Sequence, residues 1–216
     1  MTAPSTPNRQ SGPALRKPPA DLSGFPTQVQ NSKRGPIYRA FQIGREPVWF
    51  SANGAGRFDL TPPHGTMYVA DDVSTAVRER LGEVAVTNQS VFRSVVEDMA
   101  VAQVGFGQHR CANLCDPASS RFGVTREFET MVPYELPQIW ARAFFAAGYA
   151  GIRYGARFSP GPANAWALFG DAGGVATIRP TPDLDYVSAC ELAGLRIVDT
   201  PARSELTVIE PPIDDR

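Results

Sequence analysis

The chain has 216 residues, enough for one domain with tails or at most a small second domain. Its hydrophobic content of 43% is ordinary for a globular protein, and its formal net charge of −1 excludes a broad basic field for nucleic acid or anionic membrane. No apolar run approaches the ~18–20 residues that span a bilayer, and Met1–Pro36 lacks the apolar core of a signal peptide. Three cysteines do not suggest a disulfide framework. A cytoplasmic protein whose partners are small molecules or specific proteins is the expectation.

Residues 1–35 carry Pro4, Pro7, Pro13, Pro18, Pro19 and Pro26 among Ser, Thr, Asn and Gln. Without periodic apolar positions to offset ordering entropy, they read as a flexible tail, with a docked arm as the alternative. A domain over 36–205 follows, then a second tail over 206–216. Ile37–Phe41 alternates apolar and polar residues and reads as a strand, with Arg39 facing away from Tyr38 and Ala40. Val48–Phe50 and Thr66–Ala70 are further short strands separated by the turn cluster Asn53–Gly56. Asp71 and Asp72 offer N-caps for a helix over Val73–Leu81, and Gly82 offers its stop.

The middle of the chain is less regular. Thr87–Met99 has room for a helix, and Gly105–Arg126 reads mostly as loop. Pro137–Ala147 is predicted helical, with Ile139, Trp140, Ala143, Phe144 and Ala147 on one stripe, Pro137 in the first turn and Gly148 at the end. Gly151–Tyr154 and Ala165–Phe169 read as strands around a Pro/Gly loop. Short strands with two or three helices, without regular strand–helix alternation, predict a compact α+β domain rather than a doubly wound nucleotide fold.

Arg57, Tyr68 and Glu79 stand at successive intervals of eleven residues. The first lies in a turn, the second in a strand and the third two turns into a helix. Taken singly, each is ordinary: a surface arginine, a packed tyrosine, a solvated glutamate. Together they offer a planar donor fork for phosphate or carboxylate, an aromatic face for a cationic ring, and one carboxylate. His109, Cys111 and Cys115 hint at zinc, but the chain has only His64 as a second histidine and Cys190 as a third cysteine, so no metal site is predicted. The glycine clusters Gly54–Gly56 and Gly170–Gly174 lack the spacing of a phosphate loop.

The ordered set Ile37-Tyr38-Arg39, Gly56-Arg57-Phe58-Asp59, Gly65–Ala70, Thr75-Ala76 and Glu79 resembles the RES domain family, named for an arginine, a glutamate and a serine. Gly148–Tyr154, Arg157 and Ala167–Phe169 resemble its second signature, and the resemblance covers roughly residues 36–170. It implies an α+β, ADP-ribosyltransferase-like fold with a split β-sheet core and flanking helices. It also implies a bacterial toxin that consumes NAD as a substrate, with no recycled cofactor, and a protein antitoxin that blocks the cleft. By resemblance, Arg39 and Arg57 hold pyrophosphate or ribose, with Arg157 beside them. Tyr68 stacks near nicotinamide, and Glu79 stabilises positive charge at the anomeric carbon. The acceptor is open between water, inorganic phosphate and a protein side chain, giving hydrolysis, phosphorolysis or ADP-ribosyl transfer. The chain departs from the family at Ala156, where serine is expected. Ser159 is a substitute if the loop rearranges, and a non-catalytic NAD-binding or interaction module is the alternative of another class.

Overall fold

The computed structural model describes residues 14–30, 35–87, 89–105, 107–175, 184–205 and 207. In chain order its strands are β1 (Thr27–Gln30), β2 (Ile37–Gln42), β3 (Trp49–Phe50), β4 (His64–Ala70), β5 (Ser90–Phe92) and β6 (Met99–Val104). They continue with β7 (His109–Asn113), β8 (Gly151–Gly155), β9 (Asn164–Asp171), β10 (Gly173–Gly174), β11 (Leu184–Asp185) and β12 (Arg196–Val198). The helices are α1 (Val73–Leu81), α2 (Glu83–Thr87), α3 (Arg93–Val96), α4 (Glu127–Thr130), α5 (Glu135–Ala146) and α6 (Tyr186–Leu192).

Eight strands form one mixed sheet in the order β1-β7-β8-β9-β4-β2-β6-β11. Neighbours are antiparallel except β7 and β8. The architecture is α+β, as expected. The split is visible in the register. β4 pairs with β9 along its whole length, and β2 does so with β6, but β2 meets β4 only at Tyr38 opposite Ala70. Past that pair the strands part, and the edge of β4 is taken by Ser51, which bridges Thr66.

Because strand residues alternate between faces, the sheet feeds separate cores. Met67, Val69, Trp166 and Leu168 pack with Ile37, Phe41 and Phe50. Tyr68, Ile152, Ala167 and Phe169 instead join Phe58, Trp140 and Phe144 beneath α5. Val77, Val101, Tyr186 and Leu195 form a third cluster under α1 and α6.

Helix α1 follows its sequence signals. The Asp72 carboxylate accepts the Thr75 N–H at 2.8 Å and the Thr75 hydroxyl at 2.7 Å. Gly82, at φ +60°, ends the helix with its N–H on the Arg78 carbonyl. Helix α5 begins at Glu135, which leaves Pro137 in its first turn.

Three expectations are corrected. The flexible-tail reading fails for residues 14–30. Leu15, Leu22 and Phe25 are buried in the core under α5, and β1 pairs with β7. The Glu127 carboxylate accepts the Ala14 and Leu15 amides at 3.0 and 2.7 Å, and the Trp140 indole donates to the Arg16 carbonyl at 2.7 Å. Three buried apolar side chains, each worth about 1.5–3 kcal/mol, offset the ordering cost that composition alone left unopposed. Residues 1–13 and 31–34 lie outside the description, as does the C-terminal tail apart from Thr207. Second, Thr87–Met99 is not one helix. It divides into the end of α2, then β5, the single turn of α3 and the start of β6. Third, the expected loop over 105–126 contains β7, which is held between β1 and β8.

Candidate active site

A cleft of about 760 Å³ opens where β2 and β4 part. Arg39, Arg57, Tyr68, Glu79 and Arg157 all line it, so the structure brings together all five residues singled out from the sequence. The same cleft takes in residues the sequence did not single out for a site: Trp49, Asp59, Arg80, Tyr134, Tyr154 and Phe158.

Arg57 is delivered by the turn ahead of β4. The Gly56 N–H bonds Asp59 Oδ2 at 3.0 Å, and the Thr66 hydroxyl donates to the Phe58 carbonyl at 2.8 Å. The Tyr68 hydroxyl donates to Asp59 Oδ1 and accepts the Phe58 N–H, both at 2.8 Å. Gly56 is required here, because a Cβ would run into the Asp59 carboxylate and the Tyr68 hydroxyl. Gln138 of α5 completes the mount by donating to the Gly54 and Gly56 carbonyls at 3.0 and 2.9 Å. Tyr68 therefore holds the turn with its hydroxyl. Burial, then the nearby Asp59 carboxylate, pushes its pKa well up, so it acts as a neutral donor.

The Arg57 guanidinium is fixed at one nitrogen by the Phe128 and Met131 carbonyls, at 3.0 and 2.8 Å, and lies 4.7 Å from the centre of the Tyr134 ring. Burial lowers its pKa, opposed by Tyr134, Tyr154 and Glu79. Among the described residues no hydrogen bond is made by its other guanidinium nitrogens.

Glu79 projects from α1 into the half-buried wall opposite. Its Oε1 accepts the Phe158 N–H at 2.7 Å, which orients the carboxylate. Burial pushes its pKa above the ordinary value, against the pull of the Phe158 amide and the Arg57 and Arg157 guanidiniums. Arg157 sits over the Phe158 ring at 4.9 Å and pairs with Glu83 at 3.7 Å. Tyr154 is buried beside them, and desolvation followed by the Glu79 charge keeps its phenol protonated.

Arg39 donates to the Trp49 carbonyl at 2.6 Å. Burial, with Arg80 as a like-charged neighbour, brings its pKa down to about 10, so it stays cationic at neutral pH. Ala156 is partly buried against the core under α5, and its N–H bonds the Ala163 carbonyl at 3.2 Å. The Ser159 hydroxyl is buried without a hydrogen-bond partner among the described residues, and Ser159 does not line the cleft. It does not replace the expected serine in this arrangement.

Cys111 is buried with Gly151 of β8 close to its sulfur, and burial pushes its thiol up to about 12, whereas Cys115 is exposed. Among the described residues no group of three or more His, Cys, Asp or Glu side chains is placed to hold a metal ion, and no helix is long and apolar enough to cross a membrane.

The fold and cleft define an α+β domain with an arginine-rich, aromatic-walled cleft into which α1 delivers the oriented Glu79 carboxylate. The sequence pattern of the RES domain matches residues 36–188, and the chain belongs to that family. Among solved structures the chain is similar to one in the MbcT–MbcA toxin–antitoxin complex of M. tuberculosis. The identity is 15%, the TM-score is 0.50, and the match covers 62% of this chain and 73% of that one. No curated protein matches.

Proposed function

We propose that this chain is a RES-type toxin that cleaves the nicotinamide–ribose bond of NAD and consumes the dinucleotide. The observation that carries the reading is Glu79. It is a half-buried carboxylate, oriented by the Phe158 amide and subject to the Arg57 and Arg157 charges, in a cleft walled by Tyr68, Tyr134 and Tyr154.

The residue chemistry suits that reaction. Nicotinamide in NAD is a cationic leaving group, so the C1′–N bond breaks with its electron pair going to the ring nitrogen, and no general acid is needed. The ribose becomes oxocarbenium-like, and the Glu79 carboxylate stabilises the charge at C1′ in a site from which water is partly excluded. Arg57 and Arg39 neutralise phosphate oxygens and hold the sugar in place. An acceptor oxygen then bonds to C1′: water does so with its proton passing to the Glu79 carboxylate or to solvent, whereas a phosphate oxygen attacks as the anion. With water this is hydrolysis, and with inorganic phosphate it is phosphorolysis. Transfer to a protein side chain would make the same site a mono-ADP-ribosyltransferase.

The toxin would act in the cytoplasm, where NAD is drawn upon, and a protein antitoxin would close the cleft. The solved relative's presence in a toxin–antitoxin complex supports that partner. The test is free nicotinamide released by the partner-free protein from NAD, with and without phosphate. Glu79→Gln keeps the acceptor for the Phe158 amide but removes the charge, and should slow release at least about a hundredfold. Release by that variant at the parent's rate would overturn the mechanism. No release by the parent would overturn the hydrolytic and phosphorolytic readings.

A further inference from the structure

Trp49 is 39% exposed, whereas Trp140 and Trp166 are buried at 0% and 3%. A large aromatic open to solvent on the wall of a deep cleft loses apolar burial unless a ligand covers it. Its surroundings are built. β3 pairs with β10, which sets Gly174 opposite Trp49, and a Cβ on Gly174 would stand 3.3 Å from Trp49 Cε3. The indole thus has a glycine floor that a larger residue would disturb. Its backbone is tied by the 2.6 Å bond from Arg39 to the Trp49 carbonyl.

The groups along the cleft follow one another. Glu79 and Arg80 both line the cleft from α1, the Arg80 charge bears on Arg39, which lines the same cleft, and Arg39 holds the Trp49 carbonyl. Neither Arg39 nor Arg80 forms an ion pair with a described carboxylate. Two like charges left together without an anion make a site for one. The order is therefore carboxylate, guanidinium pair, aromatic platform. A pyridine dinucleotide carries matching groups in the same order: a ribose that becomes cationic, a diphosphate and a flat purine.

We infer that Trp49 is the platform on which the adenine of the dinucleotide stacks, with Arg39 and Arg80 under the diphosphate between it and Glu79. This rests on the NAD reading and makes the site selective for the complete dinucleotide over its nicotinamide half. Base–aromatic stacking makes the expected loss on removing the indole about tenfold.

The test measures binding by calorimetry, without turnover, for ADP-ribose and nicotinamide mononucleotide on the full chain. In Trp49→Ala the affinity ratio of ADP-ribose to the mononucleotide should fall about tenfold, and Trp49→Phe, which keeps a flat ring, should restore most of it. ADP-ribose should also quench the fluorescence of the parent, since Trp49 is its exposed indole. An unchanged ratio in Trp49→Ala, or no quenching by ADP-ribose, would overturn the assignment. A parent that binds ADP-ribose in this way but releases no nicotinamide would refute the hydrolytic and phosphorolytic readings and leave the platform standing.

Discussion

Tyr68→Phe removes one oxygen and keeps the ring, so it separates holding the turn from stacking. The lost hydroxyl donates to Asp59 and accepts from the Phe58 amide, both at 2.8 Å. Asp59 is only 2% exposed and keeps the Gly56 N–H as its other partner. A hydrogen bond to a carboxylate is worth about 1.5–3 kcal/mol, and a buried amide left unmatched costs about 1–3 kcal/mol. The two share one site and are not additive, so a loss of about 3 kcal/mol is expected. At this chain length each kcal/mol lowers Tm by about 2–4 °C, which gives a drop of about 6–12 °C by circular dichroism or calorimetry. Asp59→Asn should lose less in the Tyr68→Phe background than in the parent, with a coupling of at least about 1 kcal/mol. A Tm within about 2 °C of the parent, or strict additivity, would refute the claim that this hydroxyl holds the Arg57 turn.

The pH dependence carries a sign that can be checked. Because burial raises the Glu79 carboxyl above 4.5, nicotinamide release should decline on the acid side at a pH above that ordinary value. For stability the direction is opposite. The folded state binds this proton more readily than the unfolded one, so Glu79 costs stability as pH rises from 4.5 through its raised value. Glu79→Gln should therefore melt at or above the parent's Tm at pH 7, and a clearly lower Tm would contradict the assignment. Removal of residues 1–26 should expose the core that Leu15, Leu22 and Phe25 cover, a loss of about 5–9 kcal/mol by area. That is comparable to the whole net stability of a domain, so near-UV circular dichroism should show lost tertiary packing. A shortened chain with the parent's melting curve would show that the docked arm is dispensable.

Much of the fold was legible where local signals agreed. Asp72 and Gly82 bounded α1, the stripe through Trp140 and Phe144 marked α5, and alternation marked β2. Other elements were not. β6 reads Met-Ala-Val-Ala-Gln-Val, an apolar run whose period does not separate a strand from a buried helix. β7 reads His-Arg-Cys-Ala-Asn and becomes a strand because β1 and β8 supply hydrogen-bond partners on both sides. The arm has just a few apolar residues without period, and their value depends on a surface elsewhere in the chain.

The residues Arg57, Tyr68 and Glu79 could be picked out from the sequence because turn, strand and helix follow one another there, and short connections keep consecutive elements close. Local chemistry also determined Glu79's helix and its depth within it. Tertiary structure alone decided that Tyr68 holds a turn, that Phe158 orients Glu79, and that Tyr134 and Trp49 face the same space. Those groups come from distant parts of the chain and converge because β2 and β4 share a single pair before parting. Where a sheet opens is set by long-range register and packing, which no local window of the sequence contains.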